Sequence, residues 1–392
     1  MRATSGTTHP VVRIRIGASA VLVAALLAVS PLAAQPPAGD ASAEISADGY
    51  TSARVCGRCH ADIYRSWRKS LHAISLTDPI FDVAFMQAVR ESGDVAKRLC
   101  LTCHAPMTMV NGDYDLEQGV TREGVSCDFC HTVTAVHVGR TDRPFTSDPG
   151  LVKRSVLKKA SSPAHDVAYS ELHGTSELCG GCHNYVAPSG TTIMSTYDEW
   201  RLGPYAREGV QCQSCHMVLS EGRIVRQEVQ ASGPKIHLHD LIHDSEQLQD
   251  AVGVRILRAE RSARGLEVEV EIENSGSGHR VPTGMPTREI VLTVTVDDGR
   301  DTDVKERRYR KVVADAEGRP LTEDHEVLLR GAKILSDNRI GPREARHERF
   351  VFSVPRTGRI KVTATASYLY SPMVLRRERL TVKLGESERA VY

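Results

Sequence analysis

The chain has 392 residues with 50 Lys and Arg against 49 Asp and Glu, a formal net charge of +1. That balance excludes a bulk electrostatic case for nucleic acid or an anionic membrane surface. Only 5% of residues are aromatic, which is thin for a core built from side chains alone.

The N-terminus reads as a targeting segment over residues 1–34. Arg2, Arg13 and Arg15 precede an apolar run from Ile16 to Leu32 that ends in Ala33-Ala34, the order of an export signal. Cleavage near Ala34 is the first reading, with an uncleaved anchor as the alternative because Leu32 is not ideal there. Residues 35–50 follow as a Pro-, Gly-, Ala- and Ser-rich linker. No later stretch is apolar and long enough to span a bilayer, so no stable membrane span is expected after signal cleavage. About 360 remaining residues suggest two domains.

Between Cys56 and His216 one signature recurs five times: Cys56-x-x-Cys59-His60, Cys100-x-x-Cys103-His104, Cys127-x-x-Cys130-His131, Cys179-x-x-Cys182-His183 and Cys212-x-x-Cys215-His216. This is the attachment pattern of a c-type haem. Two thiols one helical turn apart can each add to one vinyl group of a porphyrin, and the next imidazole then lies under the iron. Zinc knuckles and disulfides also use C-x-x-C. However, all ten cysteines fall in these pairs and every pair is followed by His. With 16 His in the chain, one such coincidence has odds of roughly 1 in 25. The expectation is five haem c groups.

Within this half, Ala61 to Ile74 reads as an amphipathic helix through Ile63, Trp67, Leu71 and Ile74, with His72 beside the stripe. Asp78-Pro79 predicts the cap and first turn of a second helix through Val89, stopped near Gly93. Residues 139–160 read as a solvated, locally basic loop, and less strongly as a docking face for an acidic redox partner. Ser195-Thr-Tyr-Asp-Glu-Trp200 should begin a helix leading to the last motif.

After Met217 the pattern changes to alternation: Leu266–Ile272, Ile290–Val296, Phe350–Phe352 and Ile360–Ala366, with turns at Asn274-Ser-Gly276, Asp298-Gly299 and Glu317-Gly318. The predicted fold class is α+β multidomain. A mainly helical or irregular multihaem cytochrome c domain (residues 51–249) precedes an immunoglobulin-like β-sandwich (250–392).

Each iron has a second axial position, and ten non-proximal histidines remain beyond residue 34. The candidate distal ligands are His72, His165, His173, His237, His243 and His279. His72 lies beside a helix face, and at least one of His165 and His173 should serve. One or two of His237, His239 and His243 should bind iron, three histidines in seven residues exceeding any packing need. His279 stands in a Gly/Pro-rich turn, Gly278-His279-Arg280-Val281-Pro282-Thr283-Gly284, from which it could reach across to a haem. The alternative is a turn histidine bonded to backbone. His325 and His347 lie in charged segments and read as surface residues, while His137 is undecided.

The stretches Leu172-His173-Gly-Thr-Ser-Glu-Leu-Cys179-Gly-Gly-Cys182-His183-Asn184, Ser195 to Trp200, and Gly209-Val-Gln-Cys212-Gln-Ser-Cys215-His216-Met217 resemble multihaem c-type cytochromes related to the tetrahaem partner of hydroxylamine oxidoreductase. The His279 turn followed by strands resembles the C-terminal domain of exported members. The likeness covers most of residues 51–300. It implies mostly bis-His haems, closely packed, that relay electrons, while some relatives are reductases or oxidases with one five-coordinate iron. A fifth motif and the β-domain depart from the tetrahaem pattern. The expectation is therefore an exported electron carrier, periplasmic or at the cell surface. Its partners would be redox proteins such as other cytochromes or quinol-linked complexes. The alternatives are a multihaem reductase of a small nitrogen or sulfur oxyanion with one open iron, and a module docking into a larger complex through its β-domain.

Overall fold

A computed structural model describes residues 44–225, 235–241, 245–376 and 378–392. The targeting segment, part of the linker and His243 lie outside the described residues. Residues Ala43–Tyr392 form one compact unit.

The first half is built from short helices, and each cysteine motif begins on one. Cys56 and Cys59 end the helix Ala53–Cys59, capped by the Ser52 side chain, which accepts from Arg54 N. Cys100–His104 close Asp94–His104, Cys127–His131 occupy Cys127–Thr132, and Cys212–His216 form their own helix. Cys179 sits in Glu177–Gly180 with His183 in the turn beyond. A single helical turn suffices, because residues three and four apart share a face.

The Asp78-Pro79 expectation corresponds to a helix over Pro79–Ser92: Asp78 accepts from Ile80 N at 2.8 Å, and Gly93 ends it at φ +53°. The expected helix over Ala61–Ile74 is shorter, ending at Trp67 and followed by turns to Thr77. Ser70, 1% exposed, accepts from Ala73 N through its hydroxyl at 3.1 Å, a local bond that competes with the helical ladder. The 139–160 stretch is not simply a solvated loop. Phe145–Ser147 pairs with Val133–Val136, and Val152–Ser155 pairs in parallel with Asp166–Tyr169. Two of its basic residues are tied down, Lys153 to buried Asp128 and Arg154 to Asp148.

Among the described residues, seven long strands frame the second half: β1 Val252–Ser262, β2 Gly265–Asn274, β3 Glu289–Asp297, β4 Thr302–Tyr309, β5 Ala345–Phe352, β6 Ile360–Tyr370 and β7 Leu380–Val391. They form two antiparallel sheets, ordered β5-β2-β1 and β4-β3-β6-β7. β2 alternates strictly between half-buried and buried positions, the period-2 signature of a sheet with one core face. Its buried Leu266, Val268, Val270 and Ile272 share one core with Ile290, Leu292 and Val294 of β3 and Val362 and Ala364 of β6. Glu269 and Glu271 on the other face pair with Arg349, His347 and Arg255.

The two halves meet around Tyr185, Ala187, Ile193, Val313 and Val327. There the helix Asp324–Arg330 packs on Pro79–Ser92, which corrects the surface reading of His325. It is 5% exposed, with Nε2 3.1 Å from Glu91. His347 is exposed and pairs with Glu271.

Candidate haem sites

Two imidazoles bonded through Nε2 to one iron at about 2 Å each put their ring centres roughly 6 Å apart. Among the described residues, five pairs of a motif histidine and another come near that spacing, four at 6.2–6.5 Å and His131/His173 at 5.7 Å. His60 faces His165 at 6.2 Å, His183 faces His72 at 6.3 Å, His216 faces His279 at 6.4 Å, and His131 faces His239 at 6.5 Å. Each joins a motif histidine to one from elsewhere in the chain.

The hydrogen bonds fit the same role. Nδ1 meets a main-chain carbonyl in His60 (Ile224, 2.7 Å), His104 (Ser75, 3.0 Å), His131 (Arg154, 2.6 Å), His165 (Asp166, 2.9 Å), His239 (His237, 2.8 Å) and His279 (Arg280, 3.0 Å). A carbonyl can only accept, so Nδ1 carries the proton and Nε2 keeps the lone pair that iron needs. Burial also holds the imidazoles neutral: it pushes His72 down to about 3 and His183 and His239 down to about 4.

His173 departs from this pattern. Its ring lies 5.7 Å from His131, yet Nε2 bonds the Cys130 carbonyl at 2.8 Å and Nδ1 bonds Ser170 Oγ at 2.9 Å. Both nitrogens are committed, whereas His239 offers His131 a ring bonded at Nδ1. His239 is the residue sequence reasoning passed over within its cluster. Its placement depends on Ser66, whose Oγ accepts from His239 N at 2.7 Å, a contact without local signal. His237 is exposed, bonds the Met217 carbonyl at 2.7 Å, and has no ring opposite it among the described residues. His137 bonds Thr146 Oγ1 at 3.0 Å.

His104 is the exception among the motif histidines. Phe81 stacks on its ring at 3.8 Å, and no histidine ring stands opposite it among the described residues. Phe81 fixes the plane of the imidazole.

The cysteines cluster across motifs. Cys56 touches Cys127, Cys103 touches Cys182, and Cys179 touches Cys212, while Cys130 lies near Cys179 and Cys182. The first motif thus adjoins the third, the third the fourth and the fourth the fifth, with the second branching from the fourth. Burial pushes the Cys100 and Cys130 thiols up to about 12. An uncharged thioether has no charge to desolvate at such buried sites. No cluster of three or more His, Cys, Asp or Glu able to hold a bare metal ion occurs among the described residues.

The family model described as cytochrome c554 and c-prime matches residues 55–132. No curated protein matches the chain. The crystal structure of a penta-heme cytochrome c552 from Thermochromatium tepidum superposes with a TM-score of 0.69 at 22% identity, over 87% of this chain and 99% of that one, so the two share a fold. The family match over the first three motifs and the five-fold C-x-x-C-H pattern together support a multihaem c-type cytochrome, with electron transport as its general role.

Proposed function

We propose that the chain is an exported electron carrier with five covalently bound haem c groups, four of them bis-His. The observation that carries this reading is the set of four ring pairs at 6.2–6.5 Å, His60/His165, His183/His72, His131/His239 and His216/His279. Two imidazole ligands keep an iron low-spin and closed to exogenous ligands, which suits outer-sphere transfer. Contact between cysteines of different motifs supports close porphyrin edges and a relay from the first site through the third and fourth to the fifth. The partners are redox proteins, other cytochromes or quinol-linked complexes. The likeness to the tetrahaem partner of hydroxylamine oxidoreductase supports that class.

The same proposal takes residues 1–34 as an export signal, 51–249 as the haem domain and 250–392 as an immunoglobulin-like sandwich. The three-plus-four strand order supports the last. Among the described residues no helix is long and apolar enough to cross a membrane.

A second reading, a multihaem reductase of a small nitrogen or sulfur oxyanion, rests on His104, whose iron lacks a described histidine on its other side. Intact mass and cyanide titration of the ferric protein test both readings. Five haems with four irons closed to cyanide, and no turnover of such an oxyanion at the remaining one, fit the carrier. Cyanide uptake at one iron, with reduction of nitrite or sulfite that cyanide blocks and a spectrum of that iron altered in His104→Ala, favours the reductase. Fewer than five haems, or ligand uptake at several irons, rejects the proposed ligation.

A further inference from the structure

The stretch Ser195-Thr-Tyr-Asp-Glu-Trp200 takes no part in attaching a haem, yet its Glu199 stands where the two halves meet. The side chain is 5% exposed, and four groups converge on its carboxylate. Oε2 accepts from the main-chain N of Arg280 at 3.2 Å and from Thr283 Oγ1 at 2.8 Å. Oε1 accepts from Ser195 Oγ at 2.7 Å and meets Arg339 Nη1 at 2.7 Å. Arg339, also 5% exposed, donates to the Pro282 carbonyl at 3.2 Å and pairs with Asp337. Behind Ser195, buried Lys311 donates to Ser195 Oγ at 3.0 Å and to the Ile193 carbonyl at 3.1 Å.

These contacts grip one turn, Gly278 to Gly284, from both sides. The grip is specific to the residue after His279. Arg280 has its N–H held by Glu199, while its carbonyl accepts from His279 Nδ1 at 3.0 Å. One peptide segment thus links the carboxylate to the imidazole, whose ring lies within 9° of parallel to that of His216. A buried carboxylate is costly unless every lone pair finds a partner, and here the partners are the elements that aim the ring. We propose that Glu199 is the positioning residue that aims His279 at the iron held by His216, so that the strand-rich half is registered on the fifth site by one carboxylate. The inference rests on the proposed His216/His279 ligation.

The test uses the full-length holoprotein. Glu199→Ala should keep five haems by intact mass while one of the low-spin electron paramagnetic signals is lost or shifted, together with one reduction potential. Amide exchange over Gly278–Gly284 should accelerate roughly tenfold or more. Thr283→Val should show the same changes at smaller size. Arg343→Gln breaks the exposed Arg343–Glu208 pair, which also joins the halves, and should leave every haem signal unchanged. An unaltered spectrum in Glu199→Ala, or the same spectral change in Arg343→Gln, overturns the inference. Should Glu199→Ala fail to fold, an unaltered spectrum in Thr283→Val does so instead. A wild-type-like spectrum in His279→Ala would reject the ligation reading itself, separately from the role of Glu199.

Discussion

The strand-rich half holds one continuous core running from Val252 to Leu384. Beyond the half-to-half interface, the haem-motif half has, among the described residues, a single small cluster of Tyr50, Met107, Val125, Phe129, Val133 and Phe145. The strands bury apolar residues at every second position, and each adds to the same core. The helices of the first half are mostly one or two turns long, too short to be stable alone. They are tied instead by side chain to backbone bonds such as Trp67 Nε1 to the Val125 carbonyl at 3.0 Å and Thr51 N to Asp128 at 2.7 Å. On the proposed haem attachment, a region with so little core of its own would gain its remaining apolar contacts from porphyrin faces. One half carries its core in its own side chains, while the other leaves apolar burial that the proposed haems would supply.

The largest effect should come from removing one attachment. In Cys127→Ala/Cys130→Ala, intact mass should fall by one haem and the first half should lose its cooperative unfolding transition, because Cys127 touches Cys56 of the first motif. Antiparallel strand signal by circular dichroism should survive. Loss of that signal too would show that the halves depend on each other for folding.

Next in size, Leu292→Ala deletes a fully buried side chain from β3 and should cost about 2–5 kcal/mol, read by denaturant melts. The visible haem spectrum should persist until the strands have unfolded. Coincident strand and haem transitions would argue against separate cores.

A smaller and more local effect separates two histidines near His131. His239→Ala should convert one iron from low-spin to high-spin, whereas His173→Ala should leave the spectrum as it was and lower stability by about 0.5–1.5 kcal/mol through loss of its bond to the Cys130 carbonyl, which keeps its bond from Val133 N. The reverse outcome would assign the ligand to His173.

The smallest effect is a pH dependence at the junction. Lys311, buried and beside Arg339, is pushed down to about 8 from its ordinary 10.5, burial being the larger cause. Between those values the unfolded chain binds more protons than the folded one, so this residue makes stability rise with pH from about 8 to about 10.5. Below that window the folded state bears the full cost of a buried ammonium. Lys311→Met should remove the rise, measured as the wild-type minus variant difference in unfolding free energy across the window. An unchanged difference would mean that the ammonium is effectively solvated.

Much of this was legible in the chain because its causes are local. Cys, Cys and His at positions one, four and five share a helical turn wherever the chain goes. Asp78-Pro79 carries its own cap, and the alternation of β2 needs only a core on one side. The early end of the helix after Trp67 was not legible, since it depends on Ser70 turning its hydroxyl back onto the chain. Nor was the burial of His325, which reflects a helix packing on another more than 200 residues earlier in the sequence.

The opposing histidines divide along the same line. Residue type and spacing determined that five C-x-x-C-H motifs exist and that ten further histidines stand beyond residue 34. Only the tertiary path decided that His72 faces His183, that His165 reaches back to His60, that His239 rather than His237 stands before His131, and that His279 crosses from the strands to His216. Attachment bonds form between neighbours in sequence, whereas an axial pair requires only that two rings meet about 6 Å apart. Spacing along the chain says nothing about which two will meet.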